Sequence, residues 1–287
     1  MDILYAWIAS IASGITPLVI KASSKSLVKN PWLFNILWTL FSIPFIGFFA
    51  LIKGGGLPQN WYPLLLLSLS YAGFYAFYTV ALYRIDVSTM APLFSLRTVF
   101  AVLLGVTVLH ESIGITGAIL ITFIVIMSPF AAYNEALRLR AFFHIDVLLG
   151  ILAMGLLALV GYFTNISVHQ NGFATTLLWQ DILTLLILLP TLLLVKPVDR
   201  KISLQKLVPF LAIGLMDFLY TATATLAFAH NLALSSVIVS LPLSMVFAFL
   251  LSRRCSKFLE EHSLQVYAVR FFGASIMIGC AIWLSLL

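Results

Sequence analysis

Three ionisable residues lie inside long apolar stretches of the sequence, where a charged side chain is costly. They are Arg97, Asp181 and Asp217. An ionised group at the centre of a membrane-spanning helix costs roughly 2.5–3.5 kcal/mol on insertion scales, so it persists where it faces a partner or a water-filled cavity. One cation and two carboxylates at similar depth therefore indicate a charged cluster inside a helical bundle.

Two roles fit such a cluster. In the first, the planar guanidinium of Arg97 binds an anionic substrate group, while Asp181 or Asp217 binds an amine or exchanges a proton during a transport cycle. In the second, the three residues form a structural salt bridge that pins helices together. The sequence alone leaves both roles open.

Tyrosines accompany the charges. Tyr71, Tyr75 and Tyr78 are spaced by four and three residues, which places them on one face of a helix. Such a stripe predicts either an aromatic wall of a binding pocket, with Tyr71 and Tyr75 as candidate substrate contacts, or ordinary helix packing.

Two further polar positions are candidates for the same site. Asn35 precedes Asp181 by 146 residues, an offset that recurs between the two halves of the chain. Trp179 stands two positions before Asp181 and is expected to lie beside it. No cofactor and no metal site is predicted, because Cys255 and Cys280 have no metal-ligating residue at suitable spacing.

The overall composition restricts the class of protein. Of 287 residues, 62% are hydrophobic and only 9% are charged, against about a quarter charged in soluble domains. A soluble fold could not hide so much apolar surface, whereas a bilayer solvates it. The net charge of +6 comes from residues in short connections, which indicates contact with lipid headgroups and argues against nucleic-acid binding.

The apolar runs predict an all-α membrane protein with about ten transmembrane helices. A spanning helix needs about 17–25 mostly apolar residues. The predicted spans are 3–22, 31–52, 62–83, 88–109, 113–133, 146–167, 173–195, 207–229, 234–252 and 265–286.

An internal repeat divides these spans into two groups of five. Pro44 corresponds to Pro190, and Pro63 corresponds to Pro209, at an offset of 146 residues. The expected units are 1–141 and 142–287. Because five is odd, the second unit must be inverted relative to the first, and inverted repeats around a midplane site are typical of secondary transporters.

Basic residues predict the orientation. Of the 16 Lys and Arg residues, 14 fall in or beside the connections that join spans 1–2, 3–4, 5–6, 7–8 and 9–10. The positive-inside rule assigns these connections to the cytoplasm. We therefore predict a multi-pass protein of the plasma (inner) membrane with both termini outside the cytoplasm.

Four segments of the first half resemble the EamA repeat of the drug/metabolite transporter superfamily. They read ALYRIDVSTMAP (81–92), SLRTVFAVLLG (95–105), LHE (109–111) and GAIL (117–120). His110 stands where the family usually has Gly, and Glu111 is expected to cap or join helices. The second half carries a looser copy that includes AFAHN (227–231), SLP (240–242) and GASI (273–276).

The resemblance implies a ten-helix carrier of small organic solutes that works by alternating access. Family members usually keep their termini in the cytoplasm, opposite to the charge distribution here. We accordingly expect a secondary active transporter, an exporter or exchanger of a metabolite or drug, driven by protons or by exchange. A single chain is expected to suffice, with a dimer as the alternative.

Two other functions stay open. An enzyme acting on lipid-linked substrates would need a catalytic motif, and no His-Glu-x-x-His, Walker loop or Gly-x-Ser-x-Gly occurs in the sequence. A channel or cation carrier would need several converging carboxylates, whereas only Asp181 and Asp217 lie deep within spans. We therefore expect no enzyme.

Overall fold

The computed structural model describes residues 2–84, 90, 93–131, 145–200, 202–252 and 264–286. Within these ranges the regular structure is entirely helical. The predicted boundary between the two halves, after residue 141, lies outside them, as do Pro92 and Cys255. The predicted all-α class is confirmed for the described part of the chain.

The helices follow the predicted spans closely. We number them in chain order: α1 Asp2–Ser26, α2 Pro31–Ile52, α3 Trp61–Arg84, α4 Leu93–Thr107, α5 Ile115–Ala131, α6 Ile145–Asn171, α7 Phe173–Leu188, α8 Leu204–His230, α9 Leu232–Val239, α10 Leu243–Ser252 and α11 Leu264–Leu284. A 3-10 segment, Leu189–Leu194, continues α7.

Six helices of the described residues are long and apolar enough to cross a membrane. They are the major parts of α1, α2, α3, α6 and α8, together with α7 and its 3-10 extension. Helices α4, α5 and α11 contain shorter apolar stretches. The predicted ninth span differs, because it is divided into α9 and α10.

Local sequence explains where several helices begin. Asn30 caps α2 by accepting hydrogen bonds from the backbone N–H groups of Trp32 and Leu33, and Pro31 occupies the first turn, where its missing N–H costs nothing. Gly172 alone separates α6 from α7 and has φ of 80°, a conformation that glycine adopts without steric cost. Pro190 cannot donate a helical hydrogen bond, so α7 ends as a 3-10 turn there.

The same absence of a donor explains the break in the ninth span. Pro242 has no N–H, and the helix stops at Val239 and resumes at Leu243. The carbonyl of Val239 accepts a hydrogen bond from the Ser13 hydroxyl of α1 at 3.1 Å. The break therefore lies against α1.

Helix α9 is held at its start by Glu111. Its two carboxylate oxygens accept the backbone N–H groups of Leu232 and Ala233, at 2.6 and 2.8 Å. An anion at this position satisfies free donors and complements the helix dipole. The expected capping role of Glu111 is confirmed.

The helix pairings form corresponding sets. Helix α3 packs most extensively on α6, and α1 packs on α8. Further pairs include α2–α8, α3–α7, α4–α6, and α1 with both α9 and α10, as well as α2–α7, α4–α9 and α5–α11. If each of the first five spans is exchanged with its counterpart among the last five, these pairs turn into one another.

Polarity is distributed as in a membrane protein. Large apolar side chains such as Phe48, Ile115 and Leu193 are exposed on the outer faces. Arg97, Asp181 and Asp217 are buried among the helices. Exposed apolar surface on this scale is unfavourable in water and favourable in lipid.

Candidate functional site

The site forms where α8 crosses α2 at very short distance. A Cβ atom at Gly214 would overlap the carbonyl oxygen of Phe41 and would lie 2.9 Å from the nitrogen of Ser42. Only glycine allows this approach of the two backbones. Asp217, three residues later, is thereby brought to the same level as Ser42. Helix α7, which also packs on α2, supplies Asp181.

A central chamber of ≈ 40 Å³ lies beside this crossing. Both Arg97 of α4 and Asp217 of α8 line it. So do four tyrosines, Tyr71, Tyr75, Tyr78 and Tyr220. The tyrosine stripe of α3 is therefore part of the wall of a cavity, and two of the three predicted charges face that cavity.

Arg97 is buried, and no counter-charge pairs with it among the residues that the structure describes. Its side chain is 1% exposed, and its Nε and Nη2 atoms have no hydrogen-bond partner. The guanidinium carbon lies 5.4 Å from the centre of the Phe228 ring. Within the described residues, no ion pair joins Arg97 to a carboxylate. A buried cation with free donors is unfavourable unless an anion enters to pair with it.

Asp217 is also incompletely paired. The Tyr75 hydroxyl donates to its Oδ1 at 3.4 Å, while its Oδ2 is buried without a hydrogen-bond partner. Asp181 accepts a hydrogen bond from the Ser42 hydroxyl at 2.8 Å and is absent from the chamber wall. The described contacts therefore give no salt bridge that would pin the helices through these charges.

A larger vestibule adjoins the chamber. It has a volume of ≈ 330 Å³ and lies between α1, the start of α2 and the first half of α8. Thr16, Trp38 and Asp217 line both cavities. The vestibule walls are mainly apolar and reach Leu27, at the end of the bundle that carries the α1–α2 connection.

At the opposite end of the bundle, exposed hydrogen bonds join Asn60 to Gln170 and Asn171, and we call this set the Asn60 latch. The backbone N–H of Asn60 donates to Asn171 Oδ1 at 2.8 Å, and Asn171 Nδ2 donates back to the Asn60 carbonyl at 2.9 Å. Asn60 Nδ2 also donates to Gln170. The latch joins the α2–α3 connection to the α6–α7 connection.

Comparison with known proteins adds the family. Residues 1–128 match the model of the EamA-like transporter family. The match covers less than half of the chain, so it shows that residues 1–128 are similar to that family. That family is part of the drug/metabolite transporter superfamily and consists of transporters. The resemblance inferred from the sequence is therefore confirmed for residues 1–128.

Two further comparisons concern the whole chain. A solved crystal structure of a protein is similar over 98% of this chain and 94% of that chain, with a TM-score of 0.72 and 15% sequence identity. At that identity the likeness demonstrates a shared fold alone. The comparison with curated proteins gives no match.

Not every predicted residue reaches the cavity. Asn35 donates to the Tyr75 carbonyl at 2.9 Å and accepts from Thr79 at 2.6 Å, so its amide joins α2 to α3. Trp179 donates to the Gly56 carbonyl at 2.8 Å, beside the latch. Neither residue is among those that line the chamber or the vestibule.

Several lining residues were not predicted. Thr16, Trp38 and Tyr220 line the chamber, and Ser42 bonds Asp181. Trp38 is buried, with an indole N–H that has no hydrogen-bond partner. Hydroxyl and aromatic residues are common in apolar helices, so the residue types at these positions did not indicate a binding site. Only the unusual depth of Trp38 within its span set it apart from interfacial tryptophans.

Proposed function

We propose that this protein is a secondary active transporter of a small organic metabolite or drug, with the Arg97–Asp217 chamber as its substrate site. The observation that carries the proposal is that a buried cation and a buried carboxylate, both with unused hydrogen-bonding atoms, line one cavity. An entering solute with an anionic group satisfies Arg97, and an amine or a proton satisfies Asp217. The apolar vestibule favours an amphipathic solute.

The architecture proposed for this activity is two inverted five-helix repeats, residues 1–141 and 142–287, within ten membrane spans. The near-symmetric helix pairings and the matched prolines support it. In such proteins one repeat rocks against the other around a fixed midplane site. Because both repeats lie in one chain, a monomer suffices for the cycle.

The structure supports assignment to one state of an alternating-access cycle. The vestibule reaches one end of the bundle, whereas the Asn60 latch joins the connections at the other. In the alternate state the hydrogen bonds of the Asn60 latch would break, and α1 and α8 would approach each other and close the vestibule. Transport then follows from exchange of the two arrangements around the chamber.

The proposed location is the plasma (inner) membrane, with both termini outside the cytoplasm. The positive-inside rule supports this orientation, since the basic connections include Lys21 and Lys29 beside the vestibule. The vestibule would then face the cytoplasm. Loading from that side suits an exporter or an exchanger.

Asp217→Asn is the direct test of this function. A metabolite library is first screened by thermal shift on the purified protein, and the stabilising solute is assayed for exchange in proteoliposomes. We expect Asp217→Asn to insert normally but to abolish exchange or uncouple it from a proton gradient, because the amide cannot ionise. Asp199→Asn, at an exposed carboxylate, is the control and should keep exchange.

Wild-type exchange and coupling by Asp217→Asn would exclude the proposed role. The same assay discriminates the alternatives. Chemical conversion of the solute without its movement would indicate an enzyme, and ion flux alone would indicate a cation carrier.

A further inference from the structure

The vestibule between α1 and α8 is an apolar cavity with one ionisable residue in its wall. Its volume of ≈ 330 Å³ falls within the range of about 300–1,000 Å³ that is usual for small-molecule sites. Among the described residues that line it, Asp217 is the one that can carry a charge, whereas Arg97 lines the chamber and is absent from the vestibule wall. The rest of the wall is mainly aliphatic and aromatic. The vestibule therefore has the composition of a ligand site in its own right.

The carboxylate of Asp217 keeps an unused acceptor at this wall. Its Oδ1 accepts a hydrogen bond from the Tyr75 hydroxyl at 3.4 Å, while its Oδ2 is buried without a hydrogen-bond partner. The side chain is only 4% exposed, and a buried carboxylate oxygen that lacks a donor is unfavourable. A ligand that brings a charged donor into the vestibule would therefore form a strong, charge-assisted hydrogen bond with Oδ2.

Two further residues that line both cavities with Asp217 suit a cationic donor. The Thr16 hydroxyl donates its one hydrogen to the Ala12 carbonyl at 3.1 Å, so its Oγ1 can only accept further hydrogen bonds. The ring of Trp38 belongs to the aromatic type that attracts cations most strongly. Its unpartnered indole N–H is neutral and does not offset the repulsion between Asp217 and an anion. An ammonium group, with three donors and no acceptor, complements these groups.

The length of the vestibule indicates the size of the rest of the ligand. Its wall runs along α8 from Pro209 to Asp217 and along α1 from Ile15 to Ser23. Each stretch covers eight steps of 1.5 Å, or about 12 Å. Because the wall between these limits is mainly apolar, a ligand with its ammonium group at Asp217 places an apolar body of about that length between the two helices.

We propose that the vestibule is a binding site for an amphipathic amine, whose ammonium group binds Asp217 Oδ2 and whose apolar body lies between α1 and α8. Bound there, the amine keeps the two helices apart. The consequence for transport rests on the proposed function, in which approach of α1 and α8 completes the cycle. The amine thus blocks the cycle, and the vestibule is a regulatory site next to the chamber.

Titration calorimetry of the purified full-length protein tests the site without any transport assay. The probes are 4-phenylbutylamine, 4-phenylbutanol and 4-phenylbutyrate, which share one apolar body and are cationic, neutral and anionic at neutral pH. We expect the amine to bind most tightly, since the alcohol lacks the charge and Asp217 repels the acid. Asp217→Asn should weaken binding of the amine by about 30-fold or more, because the ammonium group loses its buried partner. Binding of the alcohol should change little.

A second variant tests the place of the apolar body and leaves Asp217 in position. Ala212 lines the vestibule, so Ala212→Phe should fill part of it and abolish binding of the amine. Leu211→Phe is the matched control, because Leu211 is 49% exposed and lies outside the vestibule wall. It should bind the amine as the wild type does. Equal affinity of the wild type for amine and alcohol, or unchanged binding of the amine by Asp217→Asn or Ala212→Phe, would overturn the site.

The blocking role is measured in proteoliposomes. We expect 4-phenylbutylamine, and not 4-phenylbutanol, to slow exchange of the solute found by screening. Exchange that the bound amine does not slow, or protein-dependent movement of the amine itself, would overturn the blocking role. Calorimetry does not depend on exchange, and the exchange test of Asp217→Asn uses no amine. Failure of the amine site and failure of the proposed function are therefore distinguishable.

Discussion

Replacing Arg97 with methionine is expected to abolish solute binding and at the same time to stabilise the empty protein. Removing one partner of a buried charge pair costs 2–5 kcal/mol, which corresponds to about 30- to 5,000-fold weaker affinity. In the empty protein, however, the guanidinium is buried with unused donors. A well-packed apolar side chain in place of buried charge is often neutral or stabilising, by about 1–4 kcal/mol.

Arg97→Met is thus expected to change solute binding and the stability of the empty protein in opposite directions, which separates a binding role from a structural one. Thermal unfolding in detergent, with and without the solute found by screening, measures both. Arg84→Gln is the matched control: Arg84 forms an ion pair with Asp146 at 3.0 Å, but its side chain is 58% exposed, so we expect little change in stability. An Arg97→Met protein that is less stable and still binds the solute would assign Arg97 a structural role.

Gly214→Ala should be the most damaging single-methyl substitution near the site. The added Cβ would overlap the Phe41 carbonyl, and backbone atoms cannot move aside as a flexible side chain can. Overpacking costs typically 1–3 kcal/mol. We therefore expect a lower unfolding temperature and, since α8 must move away from α2, displacement of Asp217 from its position in the chamber wall.

Gly155→Ala provides the control for this substitution. Gly155 lies within α6, and a Cβ atom there would have no neighbour within 4 Å. Alanine stabilises a helix interior by roughly 0.5–1 kcal/mol relative to glycine. Size-exclusion profiles and unfolding temperatures of the two variants should therefore change in opposite directions. Equal behaviour of the two proteins would refute the close crossing of α2 and α8.

The fold was largely predictable because one physical cause dominates the sequence. Backbone groups in lipid must be satisfied within a helix, so long apolar runs predict helices and their bounds. The division of the ninth span was missed, since an apolar run that contains Pro242 reads as one span by hydropathy. Only tertiary packing against α1 decides whether proline kinks a helix or interrupts it.

The charged residues of the candidate site were predictable because burying an ionised side chain in an apolar helix costs free energy. Arg97 and Asp217 were found because an ion in an apolar helix demands an explanation. Asn35 and Trp179 were assigned by sequence proximity or repeat offset, and such arguments do not fix the direction of a side chain. Residues two apart differ by about 200° around a helix, which explains why Trp179 contacts the latch region while Asp181 contacts Ser42.

In the proposed transport cycle, the chamber opens to one face of the membrane at a time. Site-directed thiol labelling tests it at Thr16, which lines both cavities. Cys255 and Cys280 are replaced with serine, Thr16→Cys is introduced, and a membrane-impermeant maleimide is applied from either side of sealed vesicles. We predict labelling from the face with the α1–α2 connection and slower labelling when solute is bound.

Adding Asn171→Ala, which removes two hydrogen bonds of the Asn60 latch, should allow labelling from the other face. Labelling from one face only, unchanged by solute and by Asn171→Ala, would contradict alternating access.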